Sequence, residues 1–314
     1  MKAGFLLFPI LVFLGGCCYG PGAGVVKLAY GAGYSVPDVF VGQYFYGFLA
    51  ALLLTGISIA VFAIRKKKIT VHRLSGKTQL KLIFCGLCCA LLTICYYYSL
   101  QRLPAHVAIV LLFQYAWMGV FVEAIMKRKL PGKYQLMSVV IVFVATLFAA
   151  GFIGGDLGSL DVLGVVFGLI SAACFAVYIA ILGSITNDDM MPVTRSVHVV
   201  FYGLIAMLLV FGPSFFTSGT VVDPGFLPYV LLLAFTASAL PNFIFAIATP
   251  KVSTGAATIL SSSELPASVI CSLIILSEIV TWTQWVGIVL MFFGIALPYI
   301  AEFIQRKKHP EAFA

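Results

Sequence analysis

Charge is what this sequence has least of. Only 10% of its 314 residues are Asp, Glu, Lys or Arg, and only 4 are His. The convergent acids, histidines and cations on which most soluble catalytic sites depend have little to be built from. Tryptophan is scarce too, with 3 in the chain. Long polar stretches are missing, and none of the breaks between apolar runs could fold a soluble catalytic domain on its own. What fills the sequence instead is apolar: 62% hydrophobic residues and a mean hydropathy of +1.10, well outside the range of a soluble globular domain.

A membrane span takes about 20 mostly apolar residues. Ten such runs are present, at 4–27, 39–64, 80–101, 104–126, 134–152, 162–184, 193–213, 226–249, 253–276 and 283–304. An all-α membrane protein of ten transmembrane helices is therefore predicted. The net charge of +8 is a topology signal rather than a nucleic-acid footprint. If both termini are cytoplasmic, all of the 19 Lys and Arg except Lys27 and Arg102 fall on the cytoplasmic side, as the positive-inside rule requires. A multi-pass cell-membrane protein with both ends in the cytoplasm is expected, with no nucleic-acid partner. All 8 cysteines fall inside the runs, so no disulfide framework is implied. Cys85, Cys88 and Cys89 share a helix with no His, Asp or Glu to complete a metal shell, so no metal and no cofactor is expected.

Residues 1–152 and 153–314 carry the same punctuation. In each half the fourth run follows the third after a tight turn, QRLP or PKVS, and a polar break and a last short run follow. Sliding the chain by 150 positions (264 − 114) sets Gln114 on Glu264, Ala116 on Pro266, Phe143 on Phe293 and Leu147 on Leu297. An odd number of spans per half inverts the second relative to the first, so two inverted five-helix repeats are predicted, an architecture of secondary transporters.

The last two runs, STGAATILSSSELPASVICSLIILSEIVTWTQWVGIVLMFFGIALPYI, resemble the closing segment of EamA-type members of the drug/metabolite transporter superfamily. The likeness rests on Gly255, Ala256 and Ala257, on Glu264 and Pro266, on LSEIVT around Glu278, and on Gly287 and Gly294. YYYSLQRLPAHVAIVLLFQ, around Tyr98 to Gln114, is similar to its counterpart in the first half of that family. Two departures stand out: Leu265 separates an acid and proline that are often adjacent, and Arg128 lies where the second half has Glu278. The resemblance implies a ten-helix inner-membrane carrier of small metabolites that works by alternating access.

Polar residues inside a membrane are costly and mark sites. Glu264 is expected near the bilayer midplane, with Ser261, Ser262 and Ser263 before it. Pro266, which cannot donate to the Ser262 carbonyl, is expected to break the helix there. Gln114 is its expected symmetry partner. Trp117, Tyr98, Tyr178 and Asn242 are further candidate lining residues, with Tyr96, Tyr97, Tyr115 and Tyr202 as additional aromatic material. Substrate or a proton is expected at Glu264. Lys27 is expected to snorkel outward, and Glu123 to pair locally with Lys127.

FLGGCCYGPGAGVVKLAY, residues 13–30, admits several readings. A phosphate loop would need a strand before it and a helix in water after it. Lipoprotein processing at Cys17 would remove the first span and break the repeat. A helix broken at Gly20 and Pro21, with Gly16, Gly20 and Gly24 forming a ridge for a close neighbour, accounts for the stretch.

A secondary transporter of small organic metabolites is the expected function: amino acids, related solutes or drugs, with protons as a candidate coupling ion and a homodimer as a candidate assembly. The alternative is a polytopic membrane enzyme acting on lipids, which would need acids, His or Arg gathered at one membrane face. A channel would need a ring of like residues or a carbonyl filter. Neither pattern is present, and an enzyme is not expected.

Overall fold

In lipid a backbone must satisfy its own N–H and C=O groups, and apolar runs with few competing polar side chains do so as helices. The computed structural model describes residues 4–64, 75–103, 105–149, 161–185, 192–275 and 281–308, and these form helices without a strand. In chain order they are α1 (Gly4–Cys18), α2 (Gly22–Gly31), α3 (Val36–Ile64), α4 (Gly76–Arg102), α5 (Ala105–Leu112), α6 (Tyr115–Lys127) and α7 (Lys133–Ala149). Then come α8 (Val162–Gly183), α9 (Pro192–Thr217), α10 (Leu227–Ala234), α11 (Leu240–Ala248), α12 (Thr254–Ser261), α13 (Glu264–Ile275) and α14 (Trp282–Lys308).

Among the described residues, 8 stretches are long and apolar enough to cross a membrane. Two of the ten expected runs do not reach that length as continuous helices. The run at 134–152 is α7, of 17 residues, and 150–160, like Glu278, lies outside the described residues. The run at 253–276 is divided into α12 and α13. Large apolar side chains such as Leu53, Leu209 and Val289 stand exposed on the outer surface, which suits lipid rather than water.

Four runs are interrupted, each for a local chemical reason. Between α1 and α2, Pro21 has no N–H to give the Cys17 carbonyl, which instead accepts from Gly20 N–H at 3.0 Å. Between α5 and α6 there is no proline. The Gln114 side chain takes the Val110 carbonyl at 2.7 Å, the acceptor its own backbone N–H would use, and that N–H shifts to Leu111 O at 3.2 Å. From α10 to α11 the chain widens into a π segment, Phe235–Ala239. Pro241 cannot donate to the Ala237 carbonyl, which is taken by Gln43 Nε2 at 3.1 Å. Between α12 and α13 the Ser261 and Ser262 hydroxyls bond back to Ala257 O and Thr258 O at 2.8 and 3.4 Å, a habit that loosens helices. The Ser262 carbonyl is not left over, contrary to the expectation drawn from Pro266: it accepts from Leu265 N–H at 3.2 Å.

Packing brings distant segments together through small residues. α7 lies on α14, where Gly287 meets the Ala149 backbone and Ser138 Oγ donates to Gly294 O at 2.6 Å. α4 lies on α8, with Ser99 Oγ donating to Gly164 O at 2.9 Å. α3 and α4 both pack on α9, and α6 crosses α12 where Gly119 leaves room for Thr258. α1 packs on α11, α12 and α13: a side chain at Gly16 would strike Ser263 and Ser261, and one at Gly20 would strike Ala267.

Helix ends pair as well. Arg102 Nη1 donates to Asp161 at 2.8 Å, and the guanidinium holds that carboxyl below the usual carboxylate range. Tyr34 donates to Asp223 at 2.7 Å, with the same effect on Asp223. Ser218 and Ser35 both donate to the buried carboxylate of Asp38.

Candidate functional site

The interruptions converge. A cavity with about 700 Å³ of space not filled by atoms is walled by residues from every broken helix. The α1–α2 break contributes Tyr19, Gly22 and Ala23. The π segment and α11 contribute Ala237 and Asn242, the α5–α6 break Leu112 and Tyr115, and the α12–α13 break Glu264. Continuous helices close the wall with Gln43 and Tyr44 from α3, Cys89 to Tyr97 from α4, and Phe175 and Tyr178 from α8.

The wall is aromatic. The Phe175 ring has Tyr115 at 4.4 Å between centroids, Tyr178 at 6.1 Å and Tyr19 at 6.4 Å. Its polar groups are organised in chains that end on backbone oxygens. Tyr97 donates to Gln43 Oε1 at 2.5 Å, and Gln43 donates to Ala237 O. Tyr178 donates to Asn242 Oδ1 at 2.7 Å, and Asn242 donates to Ser238 O at 2.7 Å. Tyr44 meets Thr93 Oγ1 at 3.4 Å, and Thr93 donates to Cys89 O at 3.0 Å. A proline-opened helix thus exposes carbonyls that side chains of other helices satisfy, which holds the break in one shape.

Among the described residues, Glu264 is the one charged residue of the wall. It opens α13, and its carboxyl makes no hydrogen bond and no ion pair with a described residue. The side chains of Asn242 and Tyr178 share the cavity with it. The other candidates lie elsewhere. Gln114 accepts from Trp117 Nε1 at 2.8 Å and donates to Val110 O, so the pair is closed on itself beside α5 and α6. Ser262 bonds back along α12, and Ser263 Oγ donates to Phe13 O at 2.6 Å, tying the break to α1. Tyr98 packs between Phe40 and Phe167. Pro21 and Gly20 border the wall between Tyr19 and Gly22, and Pro266 follows Glu264 in the first turn of α13.

α12 starts 149 positions after α5 (254 − 105), and α13 starts 149 after α6 (264 − 115). At that offset Glu264 falls on Tyr115, which lines the cavity, whereas the expected offset of 150 sets it on Gln114, which does not. One residue turns a helix by about 100°, enough to move a side chain off the wall. Tyr19, Gln43, Tyr44, Thr93 and Phe175 were not singled out in the sequence. Gln43, a polar amide early in an apolar run, carried the clearest missed signal.

Glu123 does more than pair with Lys127. It also accepts from Gly255 N–H at 2.7 Å and Gln135 Nε2 at 3.3 Å, which ties α6 and α7 to the start of α12. Lys27 is exposed, as snorkelling requires. No three His, Cys, Asp or Glu side chains converge on a metal-sized site among the described residues.

A bundle of long apolar helices around a lined cavity with a lone acid defines a multi-pass membrane protein with an internal cavity. Residues 162–300 match the model of the EamA-like transporter family, part of the drug/metabolite transporter superfamily, so the second half of the chain is similar to that family. A solved structure described only as the crystal structure of a protein shares the fold, with a TM-score of 0.69 over 96% of this chain and 98% of its own, at 14% identity. No curated protein matches the chain.

Proposed function

We propose that the protein is a secondary transporter that carries small organic solutes through the membrane by alternating access, with Glu264 as the residue that binds substrate or proton. The observation that carries this reading is the convergence of four interrupted helices on one cavity holding an unpaired acid. Breaks in membrane helices are tolerated where they line a cavity, and repeat transporters place their sites at such breaks.

Ten spans in two inverted halves, 1–152 and 153–314, account for the packing. Exchanging the halves maps α4 on α8 to α11 on α1, α5 on α8 to α12 on α1, and α6 on α8 to α13 on α1, and all of these contacts occur. The pairs Arg102 with Asp161, Tyr34 with Asp223 and Glu123 with Gly255 each join ends that the ten-span topology with cytoplasmic termini puts on the same side. Closing the cavity removes water from the Glu264 carboxyl, so the carboxyl is neutral or paired when closed, and its charge is coupled to opening.

Counterflow in proteoliposomes tests this. Vesicles loaded with extract of cells that make the protein should accumulate labelled solute against its gradient, with saturation. Glu264→Gln should abolish coupling to pH, while Asp161→Asn, at an exposed ion pair remote from the cavity, should transport normally. A flux that does not saturate and shows no counterflow would sink the carrier reading.

A further inference from the structure

The chemistry of the cavity wall narrows the class of ligand. The hydroxyl donors of Tyr97, Tyr178, Tyr44 and Thr93 are all engaged within the wall, in chains that finish on the carbonyls of Ala237, Ser238 and Cys89. The strongest unspent group is the Glu264 carboxyl, an acceptor without a donor. Among the described residues no Lys, Arg or His lines the space. An organic anion would meet no counter-charge and would face Glu264 directly. A zwitterion would bring a carboxylate for which the wall has no cation. A neutral solute would draw nothing from the charge of Glu264, which would take up a proton in a closed cavity instead of pairing with the ligand.

A cation has both partners it needs. Its charge is neutralised by Glu264, and its body meets ring faces: Tyr19, Tyr115 and Tyr178 around Phe175, with Tyr96 across the wall. Aromatic faces attract ammonium groups through their quadrupole, most strongly where water is excluded. The hydroxyls of Tyr19 and Tyr96 make no hydrogen bond with a described residue, so they can turn toward a ligand. We propose that the cavity binds a monovalent organic cation, a protonated amine or quaternary ammonium group on an aromatic or alkyl body, with Glu264 as its counter-charge. Calling the ligand a substrate rests on the carrier reading; its charge class does not.

Isothermal titration of the full-length protein in nanodiscs of uncharged phosphatidylcholine tests the charge class with three probes of one shape: 2-phenylethylammonium, 2-phenylethanol and 3-phenylpropanoate. The ammonium should bind at least ten-fold more tightly than the alcohol, and the carboxylate should not bind. Glu264→Gln should lose the ten-fold preference while still binding the alcohol, which also reports that the cavity is formed. Glu264→Asp, which keeps the charge, should keep the preference. Equal affinity for ammonium and alcohol, tighter binding of the carboxylate, binding of none of the three, or a preference that survives Glu264→Gln overturns the proposal. If the ammonium binds as expected but gives no counterflow, the carrier reading fails and the site chemistry stands. If counterflow of other solutes occurs without ammonium preference, the reverse holds.

Discussion

Gly119 and Glu264 lie on opposite partners of the same crossing pair of spans, and each matters through what surrounds it. A side chain on Gly119 would run into Thr258 across the α6–α12 contact. Overpacking of this kind costs about 1–3 kcal/mol where the neighbours are backbone-anchored. Gly119→Leu is therefore expected to lower the midpoint of thermal unfolding in detergent by several degrees. Gly56→Leu, where nothing lies within 4 Å, should leave it unchanged. Equal midpoints for the two variants would mean that the crossing is looser than its geometry indicates. Glu264 has the opposite character, a polar group whose neighbours leave it unsatisfied. Since its proposed role is binding, its substitution is read by transport and ligand affinity rather than by unfolding.

At the scale of elements, the half-helices need ends that stay in place, and Glu123 supplies one. Its carboxylate accepts the Gly255 N–H at the start of α12 while Lys127 and Gln135 hold it. Hydrogen bonds to a charged acceptor contribute about 1.5–3 kcal/mol. Removal of the acceptor in Glu123→Ala should speed hydrogen exchange of amides at the start of α12 by ten-fold or more. Lys127→Ala, which removes only the exposed partner, should change it little. Unchanged exchange in Glu123→Ala would mean that α12 is held by its packing alone. The same logic explains the breaks themselves: Pro21 and Pro241 remove donors, while Gln114 and the serines before Glu264 substitute side-chain bonds for backbone ones. A helix can be interrupted by either route, but only the first is visible as a residue type.

For the whole molecule, the decisive quantity is the distribution of charge between the two membrane faces. Alkaline phosphatase fused after Gly33, Asp156, Thr220 or Thr281 should be active, and after His72, Leu130, Asp189 or Pro310 inactive, since the enzyme folds only outside the cytoplasm. Activity at His72 would overturn the ten-span topology with cytoplasmic ends. The end-to-end pairs follow the same alternation, and they join residues far apart in sequence, such as Asp38 with Ser218 and Tyr34 with Asp223. These contacts link the two halves at one face, while Glu123 and Gly255 link them at the other.

The helical class, most of the spans, the resemblance to a transporter family and the presence of an intramembrane acid at Glu264 were all legible in the sequence, because lipid imposes its demand locally: each run must be long, apolar and internally bonded. An intramembrane acid is conspicuous for the same reason. The shape of the site was not legible. Whether Gln114 or Tyr115 faces the cavity depends on a rotation of about 100° per residue, and Gln114 chose its own helix because the Val110 carbonyl lay within reach. That Tyr97, Gln43 and Ala237 form one chain, or that Phe175 sits among tyrosines from other helices, depends on which helices pack together. Those are long-range contacts between small-residue faces, and residue types in one span do not specify the partner span. Tertiary structure alone decided which tyrosines surround the acid.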